Sequence, residues 1–180
     1  MTKRVKILAT DGFEQSELMK PKANLEKAGI ETVIVSLEEG SIRGWDEKNW
    51  GESVAVDKTV DAIDNCDGYD ALLLPGGQIN PDLLRVEADA ISLIKAFYAK
   101  GKVVAAVCHA PWLLVEAGLV KGRQVTSYPS IRTDVENAGG LWQDKEVVAD
   151  LGLVTSRKPE DLKAFVSKIV EEIEEGRHDR

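Results

Sequence analysis

The sequence predicts an α/β fold, a doubly wound, mostly parallel sheet sandwiched by helices. Three observations carry that prediction. Short apolar runs such as 70–75 and 103–107 are too brief for helices and read as buried strands. The chain opens on strand, amphipathic helix, strand, a βαβ unit that sets neighbouring strands parallel. Apart from a break at 40–57 the alternation then continues, with no repeat or linker, so residues 1–180 are expected to form a single domain with a polar tail from about 175.

Residues 5–10 form the first strand, followed by an acidic turn at 11–14. The spacing of Leu18, Met19, Ala23, Leu25 and Ala28 predicts a helix over 16–28, stopped by Gly29. Pro21 inside that pattern implies a kink or a start at the proline. Residues 32–37 are the second strand. Between 40 and 57, three glycines, Trp45, Trp50 and the apolar run 54–56 predict a hairpin excursion. Its tryptophans suit a binding surface or a covered apolar patch at the sheet edge or between subunits. The third strand, 70–75, runs into Gly76-Gly77, where backbone N–H groups come free to donate. A helix is predicted over 81–100 on the stripe Leu83, Leu84, Ala88, Ile91, Leu93, Ile94 and Phe97. The strand at 103–107 leads into a helix with Pro111 in its first turn and Gly118 as its stop. Beyond it the pattern predicts a strand at 125–128, a short helix at 131–138, late strands within 141–156, and a last helix striped by Leu162, Phe165, Val166, Ile169, Val170 and Ile173. His178, in the tail, is expected to be solvated and idle.

Composition narrows the function classes. Apolar residues make up 43% and charged residues 30%, the balance of a globular protein. A net charge of −8 argues against nucleic acid or an anionic membrane as the main partner, leaving nucleic acid only as a repair substrate. Cys66 and Cys108 are the only cysteines, which is no disulfide framework, and no Cys/His spacing suits zinc. Neither a metal nor a cofactor is expected, and Cys66 reads as a loop thiol without a role. With no signal-peptide core and no run of membrane-spanning length, a cytoplasmic location is expected.

In a doubly wound sheet, ligands gather beyond the carboxyl ends of the strands. Those ends carry residues 11–17, Gly76-Gly77 and Cys108-His109, so three strand ends are expected to converge on one site. Cys108 falls on a strand-to-helix turn, near the positive end of the following helix, a position that favours thiolate. His109 beside it is a proton acceptor. Equally, a cysteine ending an apolar strand is often a small buried hydrophobe. The N–H groups of His109 and Gly77 could hold an oxyanion, and Glu14 and Glu17 are candidates to hydrogen-bond the sulfur. Either Glu also suits an ordinary first-turn helix acid.

The segments Leu74-Pro75-Gly76-Gly77, Val107-Cys108-His109-Ala110-Pro111, Thr126-Ser127-Tyr128-Pro129, Asn137-Ala138-Gly139 and 156–162 closely resemble the DJ-1/PfpI superfamily, in its PfpI branch. The resemblance covers nearly the whole chain. It implies a flavodoxin-like sandwich similar to class I glutamine amidotransferases. Cys108 is then the nucleophile, His109 its partner, Glu17 the acid on the sulfur, and Gly77 and His109 the oxyanion donors. It also implies a homodimer or larger homo-oligomer with a shared site, where an acid after the Pro-Gly-Gly loop reaches the neighbour's His. This chain holds Asp82 where relatives often hold Glu. One methylene shorter, Asp82 would leave a looser or water-bridged contact with the partner's His109.

The leading functional expectation is a cysteine-dependent hydrolase that repairs dicarbonyl-modified amines and thiols, on small molecules or on modified proteins and peptides. An intracellular cysteine peptidase comes second, since it asks for a protonated His and an open cleft. A redox-sensing stress protein, with Cys108 oxidation as the signal, would need an accessible, low-pKa thiol. A glutamine amidotransferase lacks its later His and Glu pair here, His178 being the only other histidine. A flavodoxin would want a phosphate loop where 11–17 is acidic.

Overall fold

The computed structural model describes residues 1–61 and 66–180; Asp64 and Asn65, just before Cys66, lie outside the described residues. In chain order the elements are β1 (Arg4–Leu8), α1 (Gln15–Lys27), β2 (Glu31–Ser36), β3 (Ser41–Asp46), β4 (Asn49–Ala55), β5 (Lys58–Thr59), β6 (Ala71–Leu74), α2 (Ile79–Leu84) and α3 (Ala88–Ala99). There follow β7 (Val103–Val107), α4 (Pro111–Glu116), β8 (Gln124–Val125), α5 (Arg132–Asn137), β9 (Leu141–Trp142), β10 (Val148–Asp150), β11 (Leu153–Ser156) and α6 (Leu162–Glu175). Seven strands form the main sheet in the order β10-β11-β7-β6-β1-β2-β5, and every pairing is parallel except that of β10 with β11.

Strands β6 and β7 are apolar at every position because both faces are covered. Leu72, Leu74, Val104 and Ala106 pack with Leu93, Phe97 and Leu113 on the side of α3 and α4. Ala71, Leu73, Val103, Ala105 and Val107 pack with Leu18, Leu25, Phe165 and Ile169 on the side of α1 and α6. Burying each large side chain contributes about 1.5–3 kcal/mol, so the two layers together fix the sheet that carries the site. Chain order reverses at β1, with β2 on one side and β6 on the other, and a crevice opens at the carboxyl ends there.

Expectations change in several places. Pro21, buried against the core, lies inside a helix that already begins at Gln15, so no helix starts at the proline, which forfeits one backbone bond. The stretch 81–100 is two helices, separated where Glu87 turns extended (φ −92°, ψ 109°). Leu83 and Val86 are exposed, so the apolar stripe does not continue across the break. α2 docks on α4, while α3 lies on β6 and β7 and also meets α4. Of the strand expected at 125–128 only Val125 pairs, together with Gln124 before it, in a separate two-stranded sheet with β9, and 126–128 is loop.

The tail is not idle. His178 N–H donates to Gly101 O at 2.8 Å, and its imidazole Nε2 lies 3.2 Å from the Glu172 carbonyl, so it caps the end of α6. The Arg180 guanidinium lies over the Tyr98 ring at 4.1 Å and donates to the carbonyls of Tyr98, Leu151 and Lys102. Carbonyls at a helix end and a turn need donors, and the tail supplies them.

Candidate active site

Cys108 is the first residue after β7 and has a left-handed backbone, φ +64°. That conformation costs a non-glycine residue of order 1–3 kcal/mol and persists only when neighbours over-determine it. Here they do. Cys108 N–H donates to Ser156 O at 3.0 Å, Ala110 N–H donates to Val107 O at 3.0 Å, and Tyr128 N–H donates to Cys108 O at 2.7 Å. The sharp turn aims the side chain into the crevice and starts α4 immediately, with Pro111 at its first position.

The loop after β6 closes on it. A Cβ at position 76 would lie 2.6 Å from Glu17 Oε1 and 2.7 Å from Cys108 Cβ, so only glycine lets this backbone pass between them. Gly77, at φ +83°, has no more room, since a Cβ there would meet Gly12 O at 2.7 Å. Asn80 holds the loop from behind. Fully buried, it donates to Pro75 O at 2.9 Å and accepts the Thr10 N–H at 2.7 Å.

Glu17, in the first turn of α1, is fully buried and accepts the Gly76 N–H at 3.1 Å. Its Oε2 has no partner of full hydrogen-bond geometry among the described residues, yet the Cys108 thiol lies close enough to bear on its charge. Burial pushes Glu17 up to about 8, with the Glu14 carboxylate adding to the rise. Glu17 therefore carries its proton at neutral pH. Glu14 is half-buried and lies above its ordinary range, first through burial and then through Asp46 and Glu47.

Cys108 is 7% exposed, and its thiol is pushed up rather than down. Burial is the main cause and the Glu17 carboxylate the next. Hydrogen bonds from the N–H groups of Gly77 and His109 oppose both. The expectation of a thiolate favoured at rest is thus reversed: α4 has only six residues, and its dipole is outweighed by desolvation. His109, 4% exposed, sets Nδ1 3.2 Å from Cys108 Sγ, and burial lowers its pKa. Its ring stacks on Tyr128 at 4.7 Å and meets the edge of Trp112 at 5.2 Å.

Around these residues lies a cavity of about 580 Å³. Its floor is Glu17, Gly77, Cys108 and His109, and its walls include Glu14, Lys20, Tyr128 and Lys158. The hairpin of β3 and β4 forms one side with Trp45, Asp46 and Glu47. It is clamped to the loop after β1, as Trp45 N–H donates to Phe13 O at 2.7 Å and Gly12 N–H to Arg43 O at 2.8 Å. Trp45 packs edge-on against Trp50 across the hairpin at 5.4 Å.

The three expected strand ends do converge. Glu17, Gly77, Cys108, His109 and Glu14 all line the one cavity, whereas Asp82, on α2, is exposed and is not among its lining residues. Cys66 is buried elsewhere, with its sulfur 3.7 Å from Ala96 O. Sequence reasoning missed Ser130, Trp112, Lys20 and the hairpin acids. Tyr128 and Lys158 stood in quoted motifs but carried no role. Glu172, Glu175 and His178 have ligand atoms within 4.8 Å of one another, the one such group among the described residues, and it lies outside the cavity. No helix among the described residues is long and apolar enough to cross a membrane.

Comparison with known proteins follows the same geometry. The sequence model of the DJ-1/PfpI family matches residues 3–172. Deglycase TK1284 of Thermococcus kodakarensis is 42% identical over 167 residues, 93% of this chain and 97% of that protein. Protein/nucleic acid deglycase 2 of Escherichia coli and general stress protein 18 of Bacillus subtilis are each 41% identical over 92% of this chain and 94% of their own. Among solved structures, Drosophila melanogaster DJ-1beta superposes with a TM-score of 0.84 at 27% identity, covering 97% of this chain and 95% of that one. A two-domain protein of Anabaena variabilis with DJ-1/ThiJ/PfpI-like and ferritin-like domains gives 0.89 at 32% identity over 96% of this chain, which spans 48% of that longer one.

Proposed function

Since the chain belongs to the DJ-1/PfpI family, we propose that it is a cysteine-dependent hydrolase repairing amines and thiols modified by dicarbonyls, as its deglycase-named relatives suggest. The observation that carries the reading is the Cys108 sulfur, 3.2 Å from His109 Nδ1, in one cavity with Glu17 and Gly77. On a methylglyoxal hemiaminal, the thiol proton passes to His109 and the sulfur bonds to the hemiaminal carbon. The C–N bond breaks, and the amine leaves with the proton from His109. The resulting hemithioacetal isomerises, through a proton shift from one carbon to the next, to a lactoyl thioester. Water then releases lactate and regenerates the thiol, so no oxidant or reductant is consumed. The N–H groups of Gly77 and His109 hold the oxygen that gains charge, and Glu17 donates its proton towards the sulfur whenever the sulfur is anionic.

Peptide hydrolysis receives less support. It needs an imidazolium to protonate a poor leaving amine and a cleft open to a chain, whereas His109 is lowered by burial and the hairpin walls the cavity. A redox-sensing role receives less still, because the thiol is buried and raised. The chain is further proposed to work as a homodimer or larger, with Asp82 reaching towards His109 of the partner subunit. Ile79, Leu83 and Val86, close to Asp82 in sequence, are exposed, and a second copy would cover such apolar side chains. The direct test is lactate and amine release from methylglyoxal adducts of N-acetyl-lysine and N-acetyl-cysteine, beside peptide cleavage, for wild type and Cys108→Ser. Adduct repair lost in the variant supports the reading. Peptide cleavage with no adduct repair turns it towards the peptidase.

A further inference from the structure

We infer that Ser130 is a positioning residue for His109, its hydroxyl accepting the imidazole Nε2–H and so keeping the Nδ1 lone pair on the side of Cys108. This rests on the reading of Cys108 and His109 as nucleophile and base. The two imidazole nitrogens face two different partners, Cys108 Sγ at 3.2 Å from Nδ1 and Ser130 Oγ at 3.2 Å from Nε2. A neutral imidazole has one N–H, so one contact is donated and the other accepted. Burial keeps His109 neutral, and the raised thiol brings its own proton to the Nδ1 contact. Nδ1 must then accept, the hydrogen stands on Nε2, and what faces Nε2 has to be an acceptor. The serine oxygen is one.

The ring has little freedom to find another partner, held between Tyr128 and Trp112. Ser130 in turn is placed by backbone. The Tyr128 N–H bond to Cys108 O ties its loop to the elbow, and Ile131, 2% exposed, anchors the short 3-10 turn 129–131 through its N–H bond to Tyr128 O at 3.1 Å. When His109 takes the thiol proton on Nδ1, the same oxygen still accepts from Nε2 and steadies the cation. Ser130 is exposed, so its own O–H remains to be donated outward to water or to a carboxylate brought by a neighbouring copy.

The test needs no substrate. With only two histidines in the chain, nitrogen-15 spectra of histidine-labelled protein resolve His109 once His178→Gln assigns the other. Wild type is expected to show His109 as the Nε2–H tautomer, and Ser130→Ala a mixture. Iodoacetamide labelling of the Cys108 peptide, followed against pH, is expected to slow by about threefold to tenfold in Ser130→Ala, the scale of one hydrogen bond to an ionising group, and to recover in Ser130→Thr. An unchanged tautomer and labelling profile in Ser130→Ala, with a changed profile in His109→Asn, overturns the inference. An unchanged profile in His109→Asn, with the tautomer still shifted by Ser130→Ala, overturns the base reading and leaves the Ser130 contact standing.

Discussion

Replacing Glu17 by Gln should stabilise this protein, and by more as the pH rises. The cavity floor forces the carboxyl to give up water for one N–H bond and a sulfur, which moves it from 4.5 to about 8. An acid whose folded pKa is raised binds a proton in the folded state that the unfolded chain has released. The folded protein is therefore unpenalised below about pH 4.5 and loses stability progressively as pH climbs towards about 8. Linkage over that interval gives a penalty of about 1 kcal/mol at pH 5, about 3 kcal/mol at pH 7 and roughly 5 kcal/mol at pH 9. Glutamine keeps the shape and an acceptor for the Gly76 N–H but cannot ionise, so it escapes the penalty. For a chain of this length the gain at pH 7 corresponds to about 6–12 °C in melting midpoint. Urea unfolding of both proteins at pH 5, 7 and 9 measures it directly. A difference that stays constant across the three pH values, or that shrinks, refutes the assignment of a neutral buried Glu17. Activity should fall in the same variant, which would make the penalty the cost of holding an acid beside the sulfur.

Gly76→Ala should abolish activity and destabilise by about 1–3 kcal/mol, because its methyl group has to displace Glu17 or the elbow; turnover and unfolding curves read both. Removing residues 177–180 should cost about 1–3 kcal/mol through the lost Gly101 and Arg180 contacts while leaving the Cys108 labelling rate unchanged, which thermal unfolding beside labelling checks. If Asp82 works across a subunit boundary, mixing inactive Cys108→Ser with Asp82→Ala chains should restore activity in the mixed oligomers. Sedimentation should show a dimer or larger, and a monomer would sink the shared-site proposal.

Much of this architecture was legible in the chain because its strongest signals are local. The run 103–107 followed by Cys108 and Pro111 reads as a buried strand turning into a helix, and the glycines at 76 and 77 suited a close approach as well as a plain turn, of which the structure shows the close approach. What escaped depends on tertiary partners. α2 and α3 separate where Glu87 turns extended, which apolar spacing does not record. β5 is two residues long and exists only through its pairing with β2. The thiol's direction of shift is a matter of burial, which a helix-dipole argument from sequence leaves out. Ser130 lies 21 residues beyond His109 in a short 3-10 turn, with nothing in composition or period to set it apart. His178 looked like a solvated tail because the groups it caps lie at residues 101 and 172.

The central claim is that Cys108 takes the hemiaminal carbon from the adduct itself. The measurement that meets it most directly is the rate of amine recovery from a methylglyoxal adduct, set against the rate at which the adduct releases free methylglyoxal unaided. Direct repair predicts amine and lactate appearing together, faster than spontaneous release, in wild type and not in Cys108→Ser. Amine recovery that never exceeds the spontaneous rate would contradict the account, leaving an enzyme that only consumes free dicarbonyl.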